Sequence, residues 1–231
     1  MTEPKLRDLI FSVEKRGYKV FTKPYQLNIV GIRAANAKQN SFDDLICVFY
    51  KDDIGNWQFK CYPATTDPGT YYLNNPMSNL GTAAMKEGQY VDAYAQGLHK
   101  GSYKALVQAE PVTVYRDLDR NSTFDFGTKT STGKYGINIH KAGKDSDVVH
   151  TWSAGCQVFK RSADFDEFMK LTDKHREKNG NKFTYTLLDE REDLKKKRRY
   201  FLYLILIGGI GFAAYRYRSY ISGYYKKVVK G

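Results

Sequence analysis

A cysteine and a histidine in the second half of the chain, Cys156 and His140, have types and spacing suited to covalent chemistry. Fifteen residues lie between them. A free thiol has a pKa of about 8.5, so little of it is thiolate at neutral pH, and a neighbouring imidazole can take its proton. The pair is therefore a candidate nucleophile and general base. The structural alternative is that a lone cysteine more often serves as a small buried apolar residue.

The sequence around both residues predicts strands that would bring them together. Residues 136–140 read Gly-Ile-Asn-Ile-His, so apolar and polar side chains alternate as on a half-buried strand. A polar loop over 141–147 precedes a second strand predicted near 153–159. His140 and Cys156 would then share one rim of a sheet. Gly155 would let the backbone approach a substrate, and N–H groups near Cys156 could stabilise an oxyanion.

The segment Ser153-Ala154-Gly155-Cys156, with His140 before it, resembles the catalytic domain of the L,D-transpeptidase (YkuD-type) family. That family has a strand ending in His, a loop and a Ser-x-Gly-Cys motif. The resemblance implies a mostly β fold and a cysteine acyl-enzyme. It also implies that the backbone carbonyl of Lys141 orients the imidazole. By the same resemblance, Ser153 and Gly155 are expected to orient the site and to stabilise the oxyanion.

The chain departs from the family pattern at two positions beside the cysteine. Ala154 stands where the family commonly has a second His, and Val158 where it commonly has an Arg. These changes bear on substrate anchoring, for which Gln157 is a candidate polar contact. A looser similarity, to phage-encoded proteins of this type, runs from about Ile29 to Leu171.

Other candidate substrate-binding residues lie near the predicted site. His99 and Tyr103 flank a Gly-containing turn. They could line the substrate groove or be ordinary surface loop residues, and the sequence favours neither interpretation. His150 is a candidate second proton carrier, and Trp152 would either stack on substrate or, more in keeping with its type, pack in the core. His175 is predicted to be a cation at a helix C-terminus. No metal or organic cofactor is implied.

The rest of the pattern predicts one mainly β domain over 25–190 with two flanking helices. An amphipathic helix is predicted over 4–18, within an N-terminal lead-in of residues 1–24, and a second over 162–178 with Ser162 as its N-cap. Short runs rich in β-branched and aromatic residues predict the strands. Residues 74–88 contain Asn, Pro, Gly and Ser and predict a loop.

Two further cysteines, Cys47 and Cys61, are predicted to face the core. A bridge between them is conceivable across a hairpin. The N-terminus has no apolar stretch of the secretory signal kind, which favours synthesis in a reducing compartment where disulfides do not persist. The expectation is therefore that they are unpaired.

The C-terminal tail differs in composition from the domain. A basic linker over 191–199 is followed by an apolar segment over 200–216 and a basic, Tyr-rich end over 217–231. Its 16 uncharged residues, 200–215, are marginal for a bilayer, which needs about 20, but flanking Arg, Lys and Tyr extend the reach. We predict a single-pass membrane anchor contacting lipid. A buried core helix is the alternative.

The net charge of +12 predicts an acidic partner. Nucleic acid is the weaker choice because the chain lacks zinc-ligand spacing, a phosphate-binding Gly-rich loop and an RNP-like motif. The resemblance implies action on peptidoglycan stem peptides, as a transpeptidase or a hydrolase. A substrate outside the cell, without an export signal, suggests a bacteriophage virion or lysis enzyme. The alternatives are a silent wall-binding or structural virion module, and a tail serving anionic lipid or DNA packaging.

Overall fold

The computed structural model describes residues 1–35, 38–127, 129–143 and 145–191. This part of the chain contains three helices and eleven strands. The helices are α1 (Leu6–Glu14), α2 (Thr70–Asn74) and α3 (Ser162–Asn179). The strands are β1 (Asn28–Arg33), β2 (Asp44–Lys51), β3 (Trp57–Thr65), β4 (Thr82–Met85), β5 (Gly88–His99), β6 (Tyr103–Gln108), β7 (Val112–Asp117), β8 (Thr130–Gly133), β9 (Ile139–Lys141), β10 (Gln157–Phe159) and β11 (Phe183–Asp189).

Eight strands close into a barrel in the order β1-β11-β5-β6-β9-β10-β3-β2, and β4, β7 and β8 form a separate three-stranded sheet. Two neighbouring pairs are parallel. One joins the first strand to the last, β1 to β11, and the other joins β9 to β10. The prediction of a mainly β domain is confirmed. Closure removes the open sheet edges that would otherwise pair with other chains.

The two longer helices cover different parts of the barrel. α1 places Leu9 and Val13 against one outer face, together with β1 and β2. α3 carries Phe165 and Phe168 into the main core, which also contains Tyr94, Tyr185 and other interior residues of the barrel. Apolar burial of this kind contributes about 25 cal/mol per Å². The bounds of α3 match the prediction closely, whereas α1 ends at Glu14, well before the predicted end at 18.

Several predicted element boundaries are wrong. The segment 74–88 is not all loop, since α2 ends at its start and β4 lies within it. β9 begins at Ile139 and β10 at Gln157, so both strands are shorter than expected. Ser162 is the first helical residue, and the N-cap is Arg161, whose backbone is extended and whose side chain makes no capping hydrogen bond.

The expectation that Cys47 and Cys61 are unpaired is also wrong, because they form a disulfide. They are directly opposed on β2 and β3 with their Cα atoms 4.0 Å apart, which brings both side chains to one face of the hairpin. Cys47 is fully buried and Cys61 is partly buried, and both lie in the cluster beneath α1. The pairing register of the hairpin, which the sequence did not reveal, places the two thiols where a disulfide can form.

Contacts group Met1–Glu190 into one compact unit. Within the described residues, no helix has the length and apolar character that a bilayer crossing requires. The predicted apolar segment 200–216, the basic end 217–231 and all of the linker 191–199 except Arg191 lie outside the described residues.

Candidate active site

A cavity of about 550 Å³ opens between the β9–β10 part of the barrel and the sheet that contains β4 and β7. Both Cys156 and His140 line it. Its walls combine aromatic, small and cationic side chains. The other lining residues are Tyr72, Met77, Ser78, Leu80, Gly81, Thr82, Ala83, His99, Lys100, Arg116, Tyr135, Gly136, Ile137, Asn138, Thr151, Trp152 and Ala154.

A tight turn over residues 153–156 presents Cys156 immediately before β10. The fully buried Ser153 hydroxyl donates to the Cys156 carbonyl at 2.9 Å and accepts the Gly155 N–H at 3.1 Å. Gly155 has φ +124°, and a Cβ there would lie 2.5 Å from the Ala83 carbonyl oxygen. The hydrogen bonds of Ser153 therefore stabilise the turn. Gly155 permits close approach of the turn to β4, whereas the sequence analysis predicted close approach to a substrate.

The sulfur of Cys156 is held by the backbone of the segment that leads into β9. Sγ accepts the Asn138 N–H at 3.4 Å and lies 3.5 Å from the Gly136 carbonyl, to which the thiol can donate. The residue also packs against the buried cluster that contains Val158. Burial raises the pKa of the Cys156 thiol, while the Asn138 N–H and the charge of Lys100 oppose that rise.

His140 lies at the centre of β9, where its backbone pairs with Val158 of β10. Its Nδ1 is 2.9 Å from the Lys141 carbonyl oxygen, so Nδ1 carries the proton and donates. The Tyr103 hydroxyl lies 3.3 Å from the same nitrogen and donates to the Lys141 carbonyl at 3.2 Å. The contact that the motif implies for Lys141 is thus present. With Nδ1 occupied, Nε2 is left as the basic nitrogen.

His99 stacks on His140, with ring centroids 4.0 Å apart and an interplanar angle of 23°. The Asn138 side-chain amide holds His99 by a 3.1 Å contact to its Nδ1, which therefore accepts. Burial lowers the pKa of His140 to about 3, helped by His99 and Lys100 and opposed by the Lys141 carbonyl. Burial also lowers the pKa of His99. Two neutral imidazoles are consequently stacked on the cavity wall at neutral pH.

The thiol and the imidazole line the same cavity without a hydrogen bond between them, because Sγ is bonded to Gly136 and Asn138. A raised thiol pKa and a lowered imidazole pKa favour the neutral pair over thiolate and imidazolium. Such a pair can act by general base catalysis, in which the proton leaves sulfur as the sulfur attacks. Candidate bases are often not aligned with their nucleophile before substrate binds.

An oxyanion donor is available at the cysteine itself. Gly155, predicted for that role, uses its N–H on Ser153 Oγ. Among the described residues, no acceptor takes the backbone N–H of Cys156. That N–H is the better candidate to stabilise negative charge on a carbonyl attacked by Sγ.

The structure does not bring two of the predicted substrate-binding residues into the cavity. Gln157 is fully buried inside the barrel, where its Oε1 accepts from the Tyr185 hydroxyl at 2.8 Å and its Nε2 donates to the Gly155 carbonyl at 3.3 Å. Its place in the alternation of β10 points it inward, because Val158 takes the outer face. His150 is exposed beside Tyr71, outside the cavity lining.

Three other predicted substrate-binding residues do lie at the site. His99 and Tyr103 contact His140 as described, although Tyr103 is not itself a lining residue. Trp152 lines the cavity and is 37% exposed, so it is not a core residue as favoured from its type. Its ring lies over Gly143, where a Cβ would come within 2.3 Å of the indole.

Sequence reasoning missed Lys100, Arg116 and Tyr135 on the cavity wall. Arg116 is on β7 and Lys100 is in the turn between β5 and β6. Neither stands near Cys156 in sequence, and a single Arg or Lys in a chain this basic gives no signal. Asn138 was noted only as a polar position, yet it contacts both His99 and Cys156. The described residues contain no grouping of three or more His, Cys, Asp or Glu suited to a metal ion.

Comparison with known proteins gave no match to a family model, to a curated protein or to a solved structure.

Proposed function

We propose that the chain is a cysteine acyltransferase or peptidase that acts on peptidoglycan stem peptides, with Cys156 as nucleophile and His140 as base. The observation that carries the proposal is the fixed orientation of His140. Its Nδ1 donates to the Lys141 carbonyl, so its Nε2 is left to accept a proton in the cavity that also holds Cys156.

The proposed reaction combines these positions with the substrate that the resemblance to the L,D-transpeptidase family implies. Sγ attacks a peptide carbonyl at the L-centre of a diamino acid next to a D-amino acid, as His140 Nε2 takes the thiol proton. The Cys156 N–H stabilises the resulting oxyanion. The tetrahedral intermediate collapses, the C–N bond breaks, and His140 returns the proton to the departing amine. An amine of a second stem then resolves the thioester to give a cross-link, or water resolves it to give trimming.

The test is covalent labelling of the full chain. The protein is incubated with a tetrapeptide stem or a carbapenem and its intact mass is measured. We expect an adduct that is absent in Cys156→Ala and that forms about 10²- to 10⁴-fold more slowly in His140→Ala. His150→Asn, which changes an exposed histidine outside the cavity, should label normally. Absence of any adduct from the folded chain would overturn the proposal.

A second candidate is a wall-binding or structural module without turnover. It is favoured by the contacts of Sγ, which go to the backbone of Gly136 and Asn138 and not to His140, and by the raised thiol pKa. The apolar residues at 154 and 158 agree with it. Binding to isolated cell walls that is equal in the parent and in Cys156→Ala, without any release of stem fragments by the parent, would support this candidate.

We further propose that residues 200–216 anchor the chain in a membrane and that the protein acts in a bacteriophage virion or at lysis. The disulfide between Cys47 and Cys61 supports contact of this domain with an oxidising compartment. The test is extraction of membranes from expressing cells. Retention after alkaline carbonate supports a spanning segment. Release by salt alone would indicate electrostatic attachment by the basic tail to lipid or DNA.

A further inference from the structure

The barrel has little backbone pairing at the point where β6 meets β9. In the described part of the chain, β6 pairs with β9 at one position, Leu106 with Ile139, whereas it pairs with β5 at six positions. Residues 133–138 connect β8 to β9 and run past the end of β6. Strand pairing with β6 therefore does little to hold the 133–138 segment in place, and side-chain contacts have to do so.

Gln108, the last residue of β6, supplies these contacts through its side-chain amide. Its Oε1 accepts the backbone N–H groups of Tyr135 and Ile137 at 2.9 and 3.0 Å. Its Nε2 donates to the carbonyls of Gly133 and Glu110 at 2.8 and 2.9 Å. Because N–H groups must meet the amide oxygen and carbonyls the amide nitrogen, these partners define the orientation of the amide. The side chain thus takes the place of a neighbouring strand for the 133–138 segment.

The backbone of Gln108 fixes the last residue of the segment, Asn138. The Gln108 N–H donates to Asn138 Oδ1 at 2.9 Å, so Asn138 Nδ2 is the atom that faces His99 Nδ1. His99 in turn stacks on His140. The contacts of Gln108 therefore extend, through one residue, to the imidazole pair on the cavity wall.

The 133–138 segment also holds Cys156. Sγ accepts the Asn138 N–H and lies beside the Gly136 carbonyl, as described above. The Gln157 N–H donates to the Asn138 carbonyl at 2.9 Å, which joins the strand that follows Cys156 to the same residue. A displacement of the segment would remove the partners of the sulfur and open the sulfur to water.

We propose that Gln108 is a positioning residue for the nucleophile: its amide holds the 133–138 segment, and the segment holds the Cys156 sulfur at the cavity wall. This inference rests on the proposed function, since it takes Cys156 as the nucleophile. Gln108 is not among the residues that line the cavity, so it acts through the segment and not on the substrate. Loss of its hydrogen bonds should favour local opening of the segment, in which Sγ is more accessible.

The experiment measures the rate at which iodoacetamide, a small reagent that needs no binding site, alkylates the thiol of the full chain at a fixed pH. Cys156 is the one free cysteine, because Cys47 and Cys61 form the disulfide, so alkylation reports on Cys156 alone. Gln108→Met fills a similar length but makes none of the four hydrogen bonds of the amide. We expect alkylation to be about 10-fold faster in Gln108→Met than in the parent.

Gln96→Met is the matched control, because the Gln96 amide is also well bonded but faces α3. Its Nε2 donates to Thr172 Oγ1 and Asp173 Oδ1, each at 2.8 Å, and its Oε1 accepts from Arg176 at 3.2 Å. Gln96→Met should lower the thermal unfolding temperature, as Gln108→Met does, yet keep the alkylation rate within about twofold of the parent. Equal alkylation rates in the parent and in Gln108→Met, or an equal rise in Gln96→Met, would overturn the inference.

The acylation assay with a stem tetrapeptide separates this inference from the proposed function. We expect Gln108→Met to lower the maximal rate of adduct formation about 10-fold and to change the half-saturating peptide concentration by less than about twofold, because the thiol moves while the cavity walls remain. An adduct in the parent, with acylation and alkylation both unchanged in Gln108→Met, would keep the enzyme proposal and reject the inference. Faster alkylation in Gln108→Met, without an adduct in the parent, would reject catalysis and keep the role of Gln108 in holding the thiol.

Discussion

Two arginines show how differently the same side chain is used in the two regions of this molecule. Arg33, at the end of β1, is fully buried and forms ion pairs with Asp67 at 2.7 Å and Asp189 at 3.5 Å. It also donates to the carbonyls of Met85 and Thr66, each at 2.9 Å. Arg116 is only partly buried and makes two neutral hydrogen bonds. The first arginine has its charge and its donors matched by the protein, whereas the second does not.

Two histidines repeat the contrast. His175 on α3 accepts the Leu27 N–H on Nδ1 at 3.0 Å and donates from Nε2 to the Lys182 carbonyl at 3.0 Å. Burial lowers its pKa, so it is neutral, and the prediction that it is a helix C-terminal cation is wrong. His140 has partners on Nδ1, whereas no residue in the described part of the chain bonds to its Nε2. Polar groups whose bonding capacity is complete stabilise the fold, and those left incomplete on a cavity wall are available for chemistry.

The largest expected effect is at Arg33. Arg33→Leu would leave Asp67 and Asp189 without their buried cation, and we expect the free energy of unfolding to fall by about 3–5 kcal/mol. Urea denaturation of the full chain, followed by tryptophan fluorescence, measures it. The exposed Arg120→Leu should change stability by less than about 0.5 kcal/mol. If Arg33→Leu lowered the free energy of unfolding as little as Arg120→Leu does, the contrast drawn between Arg33 and Arg116 would be wrong.

Replacement of His175 should lower the free energy of unfolding by less than Arg33→Leu does. His175→Phe fills the ring's place but leaves the Leu27 N–H and the Lys182 carbonyl without partners, for a loss of about 1–3 kcal/mol. His150→Asn is the control, because His150 is exposed and Asn tolerates the positive φ at that position. It should change the free energy of unfolding by close to zero. A His175→Phe protein as stable as the parent would show that its two hydrogen bonds contribute nothing net.

At Arg116 the expected stability effect is small, because its hydrogen bonds go to neutral groups and are only partly buried. Arg116→Gln loses two partly exposed hydrogen bonds and the contact with Tyr135, and we expect less than about 1 kcal/mol in the free energy of unfolding. The same urea experiment tests it. A loss comparable to that of Arg33→Leu would make Arg116 a structural residue.

The pH dependence of acylation should show the smallest change of all. Because the pKa of His140 is lowered to about 3 and that of Cys156 is raised, the fraction of neutral imidazole and neutral thiol is nearly constant between pH 5 and pH 7.5. We expect the acylation rate to vary by less than about twofold over that range. A rate that rises about fivefold from pH 5.5 to pH 6.5 would show that His140 titrates near its ordinary value of about 6.5.

Local sequence patterns predicted the β-rich domain, its two longer helices and the proximity of Cys156 to His140, because each depends on residues close together in the chain. The short β4 was missed since its neighbours include Asn, Pro and Gly, and its pairing with β7 is long-range. Gln157 was predicted to contact substrate because it follows Cys156 in sequence, but its side chain points into the barrel and bonds to Tyr185.

The cationic part of the cavity could not be predicted at all. Lys100 comes from a turn of the barrel and Arg116 from the small sheet, and only the folded chain places both on the wall of the cavity that Cys156 lines. Likewise, no sequence pattern distinguishes Arg33 from Arg116. The distinction depends on three-dimensional partners, such as Asp189, that lie more than 150 residues away in the chain.

The parallel pairing of β1 with β11 has a consequence for how the protein is made. β11, residues 183–189, pairs with both β1 and β5 and is synthesised after them. During translation, β1 and β5 therefore each have one edge that lacks its final partner. Unpaired edges invite association with other chains. Barrel closure, and with it the completed core around the cavity, therefore comes late in synthesis, just before the ribosome reaches the basic and apolar residues of the tail.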